Sequence, residues 1–156
     1  MLEKHISVQE ILTQVKVKDW QESVRIAGEL LYKAGKITRG YIDGMIRTIK
    51  ELGPYAVIAP GVALPHARPE DGALEVGFSI VVLKDPINFG SPNDPVKVVM
   101  AFSAPDKSSH ITILQELVLL LSNEDFRREI MSAKTPEEVL EIIRTYEKSI
   151  TKEAQS

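Results

Sequence analysis

The spacing of apolar residues predicts two amphipathic helices in the first third of the chain. Asp19 is a typical N-cap residue, and the helical spacing that follows it continues to Gly35, a residue that favours the left-handed end of a helix. Thr38 can cap a second helix, which Gly53-Pro54 would end. The apolar positions are Trp20, Val24, Ala27, Leu31 and Ala34 in the first helix, and Tyr41, Ile42, Met45, Ile46 and Ile49 in the second. We expect no clear strand before these helices.

The middle of the chain has the pattern of buried strands. Residues 55–67 are almost wholly apolar, but two prolines and a glycine interrupt them, which indicates short extended segments rather than a helix. Residues 74–83 alternate, and we expect Asp85-Pro86 to end that strand. One face of this strand would carry Val76, Phe78, Ile80 and Val82. Residues 96–103 predict another strand, and the proline-rich segment between the two predicts a surface connection.

The last third of the chain returns to helical spacing. A helix begins close to His110, with Leu114, Leu117 and Leu121 on the same stripe, and a short helix is predicted around residues 126–131. Thr135 can cap a final helix that runs towards Tyr146. Helices on both sides of a strand-rich middle predict an α/β sandwich whose sheet is covered on both faces, in a single domain over residues 1–156.

Composition and charge narrow the function classes. The chain has 19 Lys and Arg against 22 Asp and Glu, a net charge of −3, which argues against a nucleic-acid partner. Its lack of cysteine excludes disulfides, thiolate metal sites and a cysteine nucleophile. Glu3 and Lys4 stand where a signal peptide would be apolar, and the longest aliphatic run, residues 117–121, is too short to insert into a membrane. We therefore expect a cytoplasmic protein.

His66 is the first candidate for chemistry, because the common phosphate-binding and hydrolase motifs are absent from the sequence. It lies in ALPHARPE, where Pro65 and Pro69 restrict the backbone on either side of it. A histidine held on such a stiff segment suits a nucleophile that must be presented with little freedom. The alternative is a structural histidine whose hydrogen bonds are satisfied within a turn.

His110 is the second candidate, because it stands near the first turn of its helix and shares the inward-facing stripe. The positive end of a helix attracts anions such as phosphate and favours neutral imidazole over imidazolium. The alternative is a residue that hydrogen-bonds locally in the capping turn. We expect His5 to be exposed and without a role.

A metal site shared by His66 and His110 is the weaker interpretation, because no third ligand stands at a suitable spacing. We expect neither a metal nor another cofactor. Phosphoryl acceptance by His66 fits better: a neutral imidazole nitrogen attacks phosphorus, and the N–P bond that forms keeps a high transfer potential.

Three stretches together carry a resemblance to a known family. They are GPYAVIAPGVALPHARPEDG, GFSIVVLKDPINFGSPNDPVKVVMAFSAPDKSSH and the aliphatic helix that follows. They resemble the enzyme IIA (EIIA) component of bacterial sugar phosphotransferase systems (PTS), of the mannitol/fructose type, and most of all its ascorbate-specific branch. The resemblance extends from about residue 8 to residue 146 and rests on a PH motif after an apolar strand combined with a second histidine that opens the long helix.

The resemblance implies a cytosolic phosphocarrier with a mixed central sheet. Such a protein takes a phosphoryl group from the phosphocarrier protein HPr and passes it to a cysteine of the enzyme IIB (EIIB) component of a permease. By this match His66 would be the acceptor, as tele-phosphohistidine, and His110 would support it. Relatives place an arginine from the preceding helix near the phosphoryl group; Arg47 is our choice, with Arg68 as a rival and a solvated Arg47 as the alternative.

A second function class stays open. Nitrogen-regulatory relatives share the fold and the histidine but signal by phosphorylation-dependent binding to other proteins. Transport is the leading hypothesis, and because the chain ends soon after the last helix we expect a stand-alone subunit with separate partner chains. Rapid transfer of the phosphoryl group to a cysteine of EIIB would distinguish transport from regulation. Val62, Leu64 and Ala67 are the residues that we expect near a partner docking surface around His66.

Overall fold

Three layers form the fold: a five-stranded sheet with helices on each face. The computed structural model describes residues 2–155, with side chains described as far as residue 150, and within that range it has five strands and five α-helices. The strands are β1 (Ile11–Val15), β2 (Val57–Ala59), β3 (Val62–Ala63), β4 (Gly77–Ile87) and β5 (Val96–Ser103). The helices are α1 (Trp20–Lys33), α2 (Arg39–Leu52), α3 (Lys107–Leu121), α4 (Glu124–Ser132) and α5 (Pro136–Gln155).

The sheet is mixed and open, with the strand order β1-β4-β5-β3-β2. β1 pairs with β4 and β3 pairs with β5 in parallel, whereas β4–β5 and β2–β3 are antiparallel. The predicted fold class, a three-layer sandwich with a mixed central sheet, is confirmed. β3 and β5 lie side by side, so the loop that leaves β3 and the end of β5 are neighbours, and this places the site described below.

The two faces of the sheet form two separate cores, because successive residues of a strand point to opposite sides. Phe78, Ile80 and Val82 of β4 pack with α3, α4 and α5, as the predicted alternation requires. Val81 and Leu83, from the other face of the same strand, pack with α1 and α2. Burial on both faces explains why the sequence of this region is almost wholly apolar.

The predicted ends of α1 and the predicted start of α2 agree with the structure. Asp19 caps α1 by accepting the Glu22 N–H at 2.9 Å, and Gly35 follows the helix with φ 75°. Thr38 is the N-cap of α2, although its side chain makes no capping hydrogen bond. Asp106 caps α3 by accepting the Ser109 N–H at 2.8 Å, so this helix starts three residues before His110.

The expectation of no strand before the helices is wrong, because β1 precedes α1. Of its five residues Ile11 alone is buried, and Gln14 has φ 57° where the register with β4 shifts. An edge strand that is short, half exposed and irregular leaves little periodic signal in a sequence.

Other boundaries also differ from the predictions. β4 does not end at Asp85-Pro86 but continues to Ile87, because its register with β5 shifts after Val82 and an irregular strand end tolerates a proline. α5 extends past Tyr146 to Gln155, and Ile150 continues its apolar face.

The segment between β4 and β5 is not wholly on the surface. Phe89 is buried and lies near the Trp20 ring, with the two ring centroids 5.8 Å apart. The Asp94 carboxylate holds the turn by accepting the N–H groups of Phe89, Gly90 and Ser91. No helix in the part of the chain that the structure describes combines the length and apolar character needed to cross a bilayer.

Candidate functional site

The loop after β3 carries His66 and is tied to the end of β5 on both sides of that residue. Before His66, the Pro65 carbonyl accepts the Phe102 N–H at 3.2 Å. After it, the Tyr41 hydroxyl accepts the Ala67 N–H at 3.0 Å and donates to the Phe102 carbonyl at 2.8 Å. The backbone around His66 is therefore fixed to the peptide groups of a single β5 residue.

The His66 side chain is held in one orientation. Its ring stacks on the Phe102 ring, with centroids 4.6 Å apart and planes 28° apart, and Nδ1 lies 2.8 Å from the Leu64 carbonyl oxygen. Because a carbonyl oxygen can only accept, this hydrogen bond assigns the hydrogen to Nδ1. In the neutral ring Nε2 then carries a lone pair.

The structure brings the two predicted histidines together. His110, on the first turns of α3, packs with its ring edge-on to His66 at a centroid distance of 5.3 Å and lies equally close to Phe102. Its Nδ1 atom is buried and has no hydrogen-bond partner among the described residues. An unpaired buried polar atom of this kind is energetically costly.

Both histidines are held in the neutral form. Burial lowers the pKa of His66, the neighbouring His110 lowers it further, and the Leu64 carbonyl opposes this shift. Burial also lowers the pKa of His110. At neutral pH each ring therefore keeps one nitrogen lone pair, as a nucleophile requires.

A cavity of about 530 Å³ opens over the two histidines. Its lining combines the His66 loop with the start of α3 and one residue of α2: Thr48, His66, Ala67, Arg68, Pro69, Glu70, Pro105, Asp106, Lys107 and His110. Arg68 and Lys107 supply positive charge to the lining, and the carboxylates of Glu70 and Asp106 offset it. The positive end of the α3 dipole therefore remains as the feature that favours a small anion next to the neutral imidazole.

Both candidate arginines form an ion pair with Asp71. Arg68 lines the cavity and is largely exposed, with Nη2 at 3.5 Å from Asp71 Oδ1. Arg47 Nη2 lies 3.6 Å from the same oxygen, and Arg47 is not among the described residues that line the cavity. From α2 it is Thr48 that reaches the lining.

The prediction that His5 is exposed is wrong, because its side chain is half-buried. It lines a shallow hollow beside the first turns of α3, together with Ser109 and Thr112, and burial lowers its pKa. This hollow shares Asp106 with the main cavity but contains neither His66 nor His110.

Sequence reasoning missed the residues that hold His66 in place. Tyr41 and Phe102 both read as ordinary core positions, and both are fully buried. The one signal in the sequence was the presence of tyrosine at a core position, because a buried hydroxyl group requires hydrogen-bond partners and a phenylalanine would have filled the same space.

Among the described residues, no three potential metal-ligand side chains are grouped closely enough to hold an ion.

Comparison with known proteins gives the family. The family model for "Phosphoenolpyruvate-dependent sugar phosphotransferase system, EIIA 2" matches residues 4–146. The chain belongs to this family. The resemblance inferred from the sequence is therefore confirmed, and this EIIA protein is a phosphoryl-transfer component of a sugar phosphotransferase system.

Relatives of known name agree with this assignment. The ascorbate-specific PTS system EIIA component of Escherichia coli strain K12 is 38% identical to this EIIA over 136 residues, which cover 85% of this chain and 88% of the relative. A solved structure, the mannitol-specific cryptic phosphotransferase enzyme IIA from Escherichia coli, has a TM-score of 0.82 and 32% identity, covering 92% of this chain and 98% of that one.

The same fold occurs in a solved complex. Enzyme IIAMTL bound to phosphorylated enzyme IIBMTL, from Escherichia coli, gives a TM-score of 0.78 at 24% identity, with coverage of 90% of this chain and 97% of that one. At this identity the likeness shows the shared fold.

Proposed function

We propose that His66 is the phosphoryl acceptor of this EIIA and that Nε2 forms the bond to phosphorus. The observation that carries this proposal is the hydrogen bond from Nδ1 to the Leu64 carbonyl. It occupies the other ring nitrogen, and His66 itself lines the cavity. The lowered pKa supports the same role, because it keeps the ring unprotonated and nucleophilic near neutral pH.

The transfer balances without a further reactant. The Nε2 lone pair attacks the phosphorus of phospho-HPr, the N–P bond of the donor breaks, and the donor imidazole leaves with the electron pair. The phosphorylated His66 ring keeps its Nδ1 hydrogen and carries positive charge, which the Leu64 carbonyl stabilises. In the next step a cysteine thiolate of EIIB attacks the same phosphorus atom, and neutral His66 is restored.

His110 acts in this proposal as the supporting residue. Its ring lies beside that of His66, so an N–H of His110 can donate to a phosphoryl oxygen on Nε2. Arg68 and Lys107 offset the negative charge of that group from the cavity wall.

L-Ascorbate is the proposed substrate of the transport system that this EIIA serves, with an EIIB chain as its acceptor in the cytoplasm. The relative from Escherichia coli that is 38% identical carries the ascorbate-specific name. The solved complex with phosphorylated enzyme IIBMTL supports an EIIB partner for this fold. HPr is the proposed donor of the phosphoryl group, and the membership in a phosphoenolpyruvate-dependent phosphotransferase system supports this proposal.

Phosphoryl uptake tests the acceptor directly. The protein is incubated with phosphoenolpyruvate, enzyme I and HPr, and intact mass and peptide mapping then locate an acid-labile, base-stable phosphoryl group. We expect one phosphoryl group on His66 in the wild type and none in His66→Ala. His5→Ala is the matched control, because it removes a half-buried histidine outside the main cavity. Full labelling of His66→Ala would refute the assignment.

Onward transfer separates the transport role from the regulatory one. Phosphorylated protein is mixed with purified EIIB of an ascorbate system and, separately, with EIIB of a mannitol system. We expect rapid loss of the label to the ascorbate EIIB and slow loss to the other. A label that stays on His66 in the presence of both would favour the regulatory function instead.

A further inference from the structure

The chemistry proposed above does not use a hydroxyl group that lies buried beneath the His66 loop. Tyr41 on α2 has no exposed surface, and its hydroxyl oxygen lies 3.0 Å from Ala67 N and 2.8 Å from the Phe102 carbonyl oxygen. These partners are the peptide group next to His66 and the residue whose ring stacks on His66. One buried oxygen thus joins α2, the His66 loop and β5.

We propose that Tyr41 is a positioning residue for phosphoryl transfer: its hydroxyl group holds the backbone after His66 against Phe102 and thereby sets the position of Nε2. The inference rests on the proposed function of His66 and adds a residue to it. Tyr41 touches none of the reacting atoms, so its effect is transmitted through the loop.

The backbone after His66 depends on this hydroxyl group more than the backbone before it. Before His66, the Leu64 N–H donates to Ala56 at 2.7 Å and the Pro65 carbonyl accepts from Phe102. After it, the Ala67 N–H reaches Tyr41, whereas the Arg68 N–H bonds to Asp71 within the following turn. Among these bonds, the one to Tyr41 ties this side of the loop to the rest of the fold.

The hydroxyl group must donate and accept at the same time, and its surroundings keep it able to do so. Burial raises the pKa of Tyr41, so the hydroxyl stays protonated and donates to the Phe102 carbonyl while its oxygen accepts from Ala67. Without it, a buried N–H and a buried carbonyl lose their partner. The loop would have to shift to regain one, and the ring stacked on Phe102 would move with it.

Tyr41→Phe tests the inference, because it removes the hydroxyl group and keeps the ring. Single-turnover uptake from phospho-HPr is measured at increasing donor concentration. We expect the limiting rate to fall by roughly tenfold to a hundredfold, the cost of a misplaced reacting group. The donor concentration for half-maximal rate should not change, because Tyr41 is buried and cannot contact HPr. The ¹⁵N signals of the His66 ring should report a weaker Nδ1–H bond to Leu64.

Ile42→Val is the matched control, because it trims a buried residue next to Tyr41 in the chain without touching the loop hydrogen bonds. We expect its limiting rate to equal that of the wild type. Equal limiting rates in Tyr41→Phe, Ile42→Val and the wild type would overturn the inference while leaving the function of His66 intact. A wild type that takes no phosphoryl group would instead overturn the proposed function.

A second measurement does not depend on the folding of any variant. Hydrogen exchange at the Ala67 amide of the wild type should be as slow as at the amides of β5, because its hydrogen bond to Tyr41 is buried. Exchange at the rate of an exposed loop would overturn the inference.

Discussion

At the scale of single residues, the site depends on the contacts that leave Nε2 of His66 unprotonated. The Nδ1–H group of His66 donates a hydrogen bond to the Leu64 carbonyl, and the ring stacks on Phe102. These two contacts set both the position and the tautomer of the His66 ring. Burial and the neighbouring His110 then lower the pKa of the ring. The arrangement presents a neutral nucleophile with little rotational freedom, which is what transfer between two proteins requires.

The lowered pKa of His66 predicts that its ring takes up a proton at a lower pH than a free histidine does. The unperturbed value is about 6.5, and a lower value in the folded protein keeps the ring neutral as the pH falls to 6.5 and below. We expect the His66 ring, followed by NMR, to titrate below the value for an unstructured histidine peptide. Titration at or above that value would contradict the environment described for the ring.

His110→Ala should separate acceptance of the phosphoryl group from its onward transfer. The variant keeps His66 and its hydrogen bond to Leu64, so we expect labelling still to occur. Loss of a donor to the transferring group should slow transfer to EIIB by roughly tenfold or more. Stopped-flow transfer from the phosphorylated variant measures this, and a wild-type rate would remove His110 from the supporting role.

Substitution of Arg68 and of Arg47, which both pair with Asp71, should have different effects on the rate of phosphoryl uptake. Arg68→Gln should slow uptake by roughly three- to tenfold, because it removes a cation from the cavity wall. Arg47→Gln should leave the rate nearly unchanged, because Arg47 is not among the described residues that line the cavity. The same single-turnover assay compares them, and the opposite order would restore Arg47 as the supporting arginine.

At the scale of elements, the sequence predicts what is long, periodic and buried. α1 and α2 are found as predicted because their caps and apolar stripes agree, and the alternation in β4 places Phe78, Ile80 and Val82 in one core. β1 was missed because an edge strand with one buried residue has no such stripe. Local rules fail there because pairing with β4, a distant segment, is what makes those residues a strand.

For the candidate site, too, some residues could be predicted from the sequence and others could not. Spacing and chemistry indicate His66 and His110, and the structure places their rings 5.3 Å apart. Tyr41 could not be assigned to the site from the sequence, because its hydrogen bonds span 26 residues to Ala67 and 61 residues to Phe102. Contacts at such separations follow from strand order and register, which local periodicity does not contain.

Gly28 lies at the contact between α1 and α2 and Gly40 does not, so alanine at these two positions should have opposite effects on stability. A Cβ at Gly28 would lie 2.8 Å from Ile42 Cγ1, so Gly28→Ala should lower the free energy of unfolding by about 1 kcal/mol, as overpacking outweighs the gain in helix propensity. At Gly40 the nearest atom is 3.6 Å away, so Gly40→Ala should raise it by about 0.5 kcal/mol. Urea unfolding measures both, and equal shifts would contradict a close helix contact at Gly28.

At the scale of the whole molecule, the first and last described segments close over one core. The short turn Leu2–His5 packs against α5, and Leu2 is buried with residues of α3, α4 and α5. The buried Glu147 carboxylate accepts the N–H groups of Leu2 at 2.9 Å and Glu3 at 2.8 Å. The α3 layer, which carries His110, is therefore supported by contacts between distant parts of the chain.

Glu147 and Arg144 tie the same N-terminal turn to α5, one inside the protein and one at its surface. Glu147→Ala should lower the free energy of unfolding by about 2 kcal/mol, because two backbone N–H groups lose a charged acceptor in a buried place. Arg144→Ala should lower it by about 0.5 kcal/mol or less, since its 3.1 Å ion pair with Glu3 is exposed to solvent. Urea unfolding at fixed pH gives both values. Equal losses would mean that the turn is held by its apolar contacts, with Leu2 as the main anchor, rather than by the buried carboxylate.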